Sequence, residues 1–292
     1  MNQQEQQRIH FFKMTGAGND FIVIDNRKGL VDADHCRDFV RYACRHKLSV
    51  GADGIILIEN DPEVDFKWRF FNADASEAEM CGNGARCAAR FVSLTGIVQK
   101  PSMAFRTVAG IIKAELLGKR VKVQMTSPHS LQLDLHLEAD GRSFRVDSVN
   151  TGVPHTVCFA ADEKELESIN ILRYGNALRF HAHFQPAGTN VNFMRVQDSH
   201  HLVVRTYERG VEGETLACGT GCIASSLVAA ARGRVASPVD VRTRGGESLR
   251  VYFEMSGGKQ RSPADFQFKE VYLEGEARIA YEADLWEETL QP

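Results

Sequence analysis

The chain has 292 residues, of which 43% are hydrophobic and 25% charged, and a formal net charge of −3 at pH 7. That length suits two lobes better than one core, and the slight acidity argues against a nucleic-acid-binding face. No apolar run approaches a membrane span. Met1–Arg8 lacks the apolar core of a signal peptide, so it reads as a polar tail and the expected compartment is the cytoplasm.

Along the chain, Phe21 to Asp25 and Ile55 to Glu59 are dense in branched and aromatic residues and predict strands. Between them, Cys36, Phe39, Val40, Ala43 and Cys44 recur at helical spacing and predict an amphipathic helix over Asp34 to His46. A second helix is expected over 84–95, stopping at Gly96, followed by a strand at Val121 to Met125. The remainder repeats the scheme. A helix is predicted from Asp162 to Tyr174, ending before Gly175, with strands at Val191 to Arg195 and Leu202 to Tyr207. A helix over 221–232 follows, with almost no polar face and therefore buried, and then a strand at Leu249 to Glu254.

The repetition extends to individual residues. Cys81-Gly82-Asn83-Gly84 returns as Cys218-Gly219-Thr220-Gly221, 137 residues later, and the same offset joins Glu77 to Glu214, Gly96 to Gly233 and Pro101 to Pro238. An offset of 136 joins Thr15-Gly16 to Thr151-Gly152, Phe71 to Tyr207, and Arg106-Thr107 and Gly110 to Arg242-Thr243 and Gly246. One residue gained near Glu212 and one lost after Pro238 account for the change. The order of these matches indicates an internal duplication. The expected fold is α/β (α+β): two pseudo-symmetric lobes, each a curved mixed or antiparallel sheet wrapped around a central helix, with the active site in the cleft between them. The N-terminal lobe is expected at 1–129, completed by a C-terminal strand at about 272–292, and the C-terminal lobe at 130–271.

Seven cysteines without an export signal do not suggest a disulfide framework. Cys36, Cys44, Cys87, Cys158 and Cys222 read as small buried hydrophobes. Cys81 and Cys218 differ, since each enters a buried helix and each is followed by glycines. The N–H groups of a helix start attract an anion, and a thiol there is expected to have a lowered pKa. Facing each other, two such turns would hold one carboxylate and flank its α-carbon with two thiols, as inversion by an acid and a base on opposite faces requires. Cys218-x3-Cys222 has loose metal-ligand spacing, but Cys81-x5-Cys87 does not match it, and no metal is expected.

At these residues the sequence resembles the diaminopimelate epimerase family. The matching stretches are Phe12-Lys13-Met14-Thr15-Gly16-Ala17-Gly18-Asn19-Asp20-Phe21, Phe71-Asn72-Ala73-Asp74, the two cysteine turns, Asn190-Val191-Asn192-Phe193 and Glu208-Arg209-Gly210. The resemblance covers nearly the whole chain. It implies conversion of LL- to meso-diaminopimelate for lysine and cell-wall synthesis, without pyridoxal phosphate, metal or any other cofactor. The partner implied is a small amino-acid substrate, with neither nucleic acid nor membrane, and a homodimer is allowed. Cys81 and Cys218 are implied as the catalytic thiols. The α-carboxylate is implied at the backbone of Gly82, Asn83, Gly219 and Thr220, and the distal ammonium and carboxylate at Asn19, Asn72, Asn192, Glu208 and Arg209. His155 stands where the family has a histidine, which with Glu208 would tune the thiols; as a lone histidine it reads equally well as structural.

The chain departs from the family pattern at three places: many members have an asparagine that contacts substrate where this chain has Val153, some have a glutamine at Gly54, and some lack the extra residue at Glu212. The rival readings are a two-thiol racemase of the proline or hydroxyproline type, a single-acid isomerase, and a redox or binding protein on the same fold. Arg209 suits a distal carboxylate that a proline ring lacks, both thiols are present, and the Cys-x-x-Cys of a redox protein is absent.

Overall fold

The computed structural model describes residues 8–257 and 266–291. Met1–Gln7, most of the polar stretch read as a tail, lies outside them. The chain divides into two compact units, Met1–Val123 with Gly275–Pro292, and Gln124–Glu274. Local pairing sets the two breaks. The Met125 N–H donates to Val271 O at 2.9 Å, which ties residue 125 into the second unit. Glu274 pairs with Arg250, which keeps that strand in the second unit beyond residue 271.

The first unit contains β1 (Ile9–Gly16), β2 (Asn19–Asp25), β3 (Gly54–Glu59), β4 (Phe66–Asn72), β5 (Ser102–Thr107), β6 (Gly110–Leu117), β7 (Arg120–Gln124) and the C-terminal β17 (Arg278–Leu285). Their spatial order is β17-β1-β2-β3-β4-β5-β6-β7. Neighbours are antiparallel except for β2–β3 and β4–β5. The second unit contains β8 (His129–Ala139), β9 (Arg142–Asn150), β10 (Pro154–Phe159), β11 (Asn190–Asp198), β12 (His201–Glu208), the short β13 (Gly213–Thr215), β14 (Val239–Arg242), β15 (Ser248–Ser256) and β16 (Gln267–Glu276). Its order is β8-β9-β10-β11-β12-β14-β15-β16, again antiparallel except at the third and fifth junctions, β10–β11 and β12–β14. The duplication read from scattered residues is thus written in the hydrogen-bonding order. It extends to a detail: β13 pairs Glu214 with Tyr207, and its counterpart is a lone bridge between Glu77 and Phe71.

In each unit one 13-residue helix packs along the strands. α2 (Gly82–Leu94) lies against β1, β2, β3 and β6, and α5 (Gly219–Ala231) against β9, β10, β11, β12, β14 and β15. Both are followed by a glycine at positive φ, Gly96 at 73° and Gly233 at 68°, a backbone region that side chains disfavour. Ten of the α5 residues are buried, as its apolar composition requires.

The outer helices differ from expectation. α1 covers only Arg37–Ala43. The single helix expected over Asp162 to Tyr174 is two, α3 (Glu163–Ser168) and α4 (Ile171–Arg179). Asn170 accepts from the Arg173 N–H and starts a new helix inside the apolar run. α4 passes through Gly175 rather than ending before it, because there it meets Tyr207: a Cβ on Gly175 would lie 2.5 Å from the Tyr207 Cβ.

This packing predicts a contrast between the two core helices. Leu227 is fully buried in α5, whereas Leu94 at the end of α2 is 56% exposed. Leu227→Ala should cost about 2–5 kcal/mol of stability, and Leu94→Ala about 0.5 kcal/mol or less, as measured by denaturant unfolding.

Candidate active site

The two cysteines occupy equivalent backbone positions. Each is the extended residue before its helix, Cys81 at φ −143° and ψ 116°, Cys218 at φ −121° and ψ 109°. Glycine is the first helical residue in both. The first N–H groups of a helix have no partner within it, and here Gly82 and Asn83, and Gly219 and Thr220, carry them directly after each cysteine. The Gly84 N–H donates to Cys81 Sγ at 3.4 Å. Cys218 Sγ instead lies 3.5 Å from Thr220 Oγ1. Cys81 is half-buried, Cys218 is buried, and none of the seven cysteines forms a disulfide.

In the first unit, Asn83, Asn19 and a residue without a sequence-assigned role form one chain of hydrogen bonds. Arg86 is fully buried and donates to Asn83 Oδ1 at 2.7 Å and to Gly82 O at 3.2 Å. Asn83 Nδ2 donates to Asn19 Oδ1 at 2.7 Å, and Asn19 Nδ2 donates to Asp53 Oδ2 at 2.8 Å. Asn19 and Asn83 are therefore together at the Cys81 turn, held by a buried guanidinium. Asn72 is exposed at the end of β4 and donates to Ser76 Oγ. Gly54 pairs with Asn72 across β3–β4. A Cβ at Gly54 would lie 2.4 Å from Phe71 O, so the glutamine of other family members has no room here.

In the second unit the structure distinguishes Asn192, which the resemblance implied as a substrate contact, from Asn190, which was given no role. Asn192 is fully buried. Its amide donates to Thr156 O at 3.0 Å and faces His155 Nδ1 at 3.1 Å, while its Oδ1 accepts from Thr206 Oγ1 at 3.0 Å. Both hydrogens of that amide are directed at protein atoms. Asn192 instead fixes His155 and approaches the helix start, where a Cβ on Gly221 would lie 2.3 Å from its Oδ1. Asn190, two residues away on the same strand face, accepts from the Arg209 N–H at 2.8 Å and donates to Pro154 O at 3.1 Å. The residue at the Arg209 turn is therefore Asn190. The guanidinium of Arg209 donates to Ala187 O at 3.0 Å, and no carboxylate pairs with it among the described residues. The extra residue, Glu212, adopts φ 55° and accepts from the Gly210 N–H, closing the loop after Arg209.

The expectation of a lowered thiol pKa does not hold for Cys218. Burial pushes it well above the usual cysteine value, and the negative charge of Glu208 adds to the rise. The Thr220 hydroxyl and the Gly221 amide pull the other way and are outweighed. Burial likewise raises Cys36, Cys158 and Cys44, the last to about 12. His155 is pulled down to about 3, by burial first and by the Arg209 charge second, so it is neutral at physiological pH. With Nδ1 accepting from Asn192, the proton sits on Nε2, which has no partner.

Several known proteins share this fold. A phenazine biosynthesis protein of the PhzF family from Bacillus anthracis superposes with a TM-score of 0.73 at 14% identity, over 96% of this chain and 100% of that one. A probable proline racemase from Agrobacterium radiobacter superposes with a TM-score of 0.68 at 15% identity, over 96% and 93%. Residues 11–131 and 148–259 match the diaminopimelate epimerase family. The diaminopimelate epimerase of Aquifex aeolicus is 45% identical over 97% of this chain and 100% of its own length, and that of Archaeoglobus fulgidus is 41% identical over 87% and 94%. The chain belongs to the diaminopimelate epimerase family.

The charge beside Cys218 gives a test with a definite sign. Because Glu208 raises the thiol pKa, Glu208→Gln should move the pH dependence of Cys218 alkylation to lower pH. An unchanged or upward-shifted profile, followed by mass spectrometry of the Cys218 peptide, would remove Glu208 from the thiol's environment.

Proposed function

We propose that this chain interconverts LL- and meso-diaminopimelate, a step of lysine and cell-wall synthesis, with Cys81 and Cys218 transferring the α-proton. The observation that carries the reading is the twice-built turn: a cysteine in extended conformation at the N-cap of a buried helix, with glycine as the first helical residue. Family membership supports the substrate, and Arg209, without a carboxylate partner among the described residues, supplies a cation for the distal carboxylate.

In the proposed reaction one thiolate removes the α-proton and becomes a thiol. The other thiol gives its proton to the opposite face and becomes a thiolate. No net proton or electron is consumed, so the step requires neither metal nor pyridoxal phosphate. Negative charge moves onto the α-carboxylate as the C–H bond breaks. The amides of Gly82, Asn83, Gly219 and Thr220 are the groups proposed to hold it, through hydrogen bonds that strengthen as the charge grows. Asn19 and Asn72 are proposed as polar contacts for the substrate, Glu208 as the partner of an ammonium, and Arg209 as the partner of the distal carboxylate. Asn190 replaces Asn192 in this assignment. The buried, neutral His155 acts by holding the second unit's turn rather than by taking a proton.

Two measurements test this. In heavy water without added cofactor, the epimerised centre should carry solvent deuterium, and Cys81→Ser and Cys218→Ser should each lower turnover by about a thousandfold or more, the combined scale of a lost acid–base group and a misplaced proton. Product free of deuterium at that carbon, or near-normal turnover in either serine variant, refutes the two-thiol mechanism. Separately, Arg209→Lys keeps the charge but loses the planar fork. It should raise KM or lower kcat/KM for diaminopimelate by about tenfold or more while leaving the melting temperature unchanged, since a charge-assisted bidentate contact is worth about 1.5–3 kcal/mol. Unaltered kinetics would mean that Arg209 does not hold the distal carboxylate.

A further inference from the structure

Each thiol turn is preceded by a short loop, and the structure fastens that loop at two points, in the same way in both units. Four residues before Cys81 stands Glu77, and four before Cys218 stands Glu214. Arg69 on β4 donates from Nε to Glu77 Oε1 at 2.8 Å and from Nη2 to Oε2 at 3.2 Å. Arg205 on β12 makes the same fork to Glu214, at 2.7 and 2.9 Å. The arginines are separated by 136 residues, the offset that also relates Phe71 to Tyr207. The clamps are well shielded: the arginine side chains are 19% and 8% exposed and the glutamates 35% and 22%. Two-point, charge-assisted contacts of this kind fix direction as well as distance.

The second fastening lies two residues before each cysteine. The Ala109 N–H, in the turn between β5 and β6, donates to Glu79 O at 3.3 Å. The Gly245 N–H, in the turn between β14 and β15, donates to Leu216 O at 2.7 Å. In the second unit this contact is so close that a Cβ on Gly245 would lie 3.2 Å from both Leu216 Cβ and Leu216 O. Each arginine also reaches outward. Arg69 pairs with Asp34 at 2.7 Å, ahead of α1, and Arg205 donates to Leu166 O and Glu167 O at 2.7 and 3.1 Å, in α3.

We propose that Arg69–Glu77 and Arg205–Glu214 are positioning pairs for the reaction: they set where each sulfur stands relative to its helix start, and the hairpin-tip amides of Ala109 and Gly245 close the loop from the other side. The proposal rests on the reading of Cys81 and Cys218 as the reacting thiols. Proton transfer to and from carbon tolerates little displacement, and an error of about 1 Å costs roughly a hundredfold in rate. A loop leading to an N-cap position has no helical hydrogen bonds of its own, so something outside the helix must hold it. The two arginines do so from strands that belong to each unit's core.

The test uses Glu77→Gln and Glu214→Gln in the full chain, with Arg69→Lys and Arg205→Lys as variants that keep the charge but lose the fork, and the two Cys→Ser variants as controls. Steady-state kinetics with diaminopimelate are combined with alkylation by iodoacetamide, read separately at each cysteine by peptide mapping. Each Gln variant should lower kcat by about tenfold to a hundredfold with KM changed by less than about threefold. Each should also alter the alkylation rate of the cysteine in its own unit, Cys81 for Glu77→Gln and Cys218 for Glu214→Gln, while the other cysteine keeps its wild-type rate. The Lys variants should show the same side-specific pattern with smaller losses. Wild-type kcat in the Gln variants overturns the proposal, and so does a joint change at both cysteines accompanied by a lower melting temperature, which is the mark of general loosening. If instead the Cys→Ser controls retain turnover, the reading of the thiols fails on its own and takes the positioning role with it.

Discussion

A helix begins with N–H groups that no earlier turn can satisfy, and both units of this protein are organised around that deficit. In each, the helix carrying it is buried against strands of the unit's own sheet, so the unsatisfied donors are fixed in direction by the core. A cysteine is a weak cap compared with Ser, Thr, Asp or Asn, and the hydrogen bond that Cys81 accepts from the Gly84 N–H is long, at 3.4 Å. Glycine as the first helical residue leaves the peptide uncovered. The result is a helix start held rigidly yet left open to an anion, with a sulfur at its edge. Packing thus fixes the direction of the donors, while the weak cap leaves them free to bind.

The balance of electrostatic effects at Cys218 shows why a motif alone misleads about reactivity. A helix N-terminus stabilises an adjacent negative charge by about 0.3–1 kcal/mol. Full burial can shift a titrating group by as much as about 3–5 pKa units, and each unit is about 1.4 kcal/mol. Desolvation therefore wins, and Glu208 pushes in the same direction. A substrate ammonium beside the sulfur would reverse part of that balance. In the proposed mechanism, the Cys218 thiol ionises more readily when the substrate brings its own positive charge.

Much of the fold was legible because the duplication repeats it. The glycines after each cysteine, the apolar run of α5 and the strand segments were all readable from composition and spacing. The outer helices were less so, since Asn170 sits inside a continuous helical pattern and only its capping contact shows that the helix restarts there. Asn190 and Asn192 were indistinguishable in sequence because residues two apart share a strand face. Their depth along the strand decides their roles, and depth depends on where β12 turns into Arg209. Arg86 lay within the matching stretch around Cys81 but was given no role, as a lone arginine in a helix is ordinarily solvated. Arg69 and Arg205 did carry one: they repeat at the offset of their neighbours Phe71 and Tyr207, and extending the comparison two residues back along each strand would have found them.

Duplication gives two thiol turns the same backbone, but inversion at carbon requires that at any moment one group gives a proton and the other takes one. Identical surroundings would give the two sulfurs identical proton affinities. The sequence breaks that identity at matched positions. At the offset that relates the cysteines, Arg86 in α2 corresponds to Ile223 in α5, and at the offset that relates the strands before them, Asn72 corresponds to Glu208. The first unit thus carries a buried cation beside its turn, hydrogen-bonded to Gly82 and Asn83. The second carries an anion that raises the Cys218 pKa. Shared topology and the paired arginine clamps keep the geometry of the two halves alike, and the two substitutions make their charge unlike. The two features are compatible because backbone pairing and side-chain charge are set by different residues, so one could be retained while the other diverged.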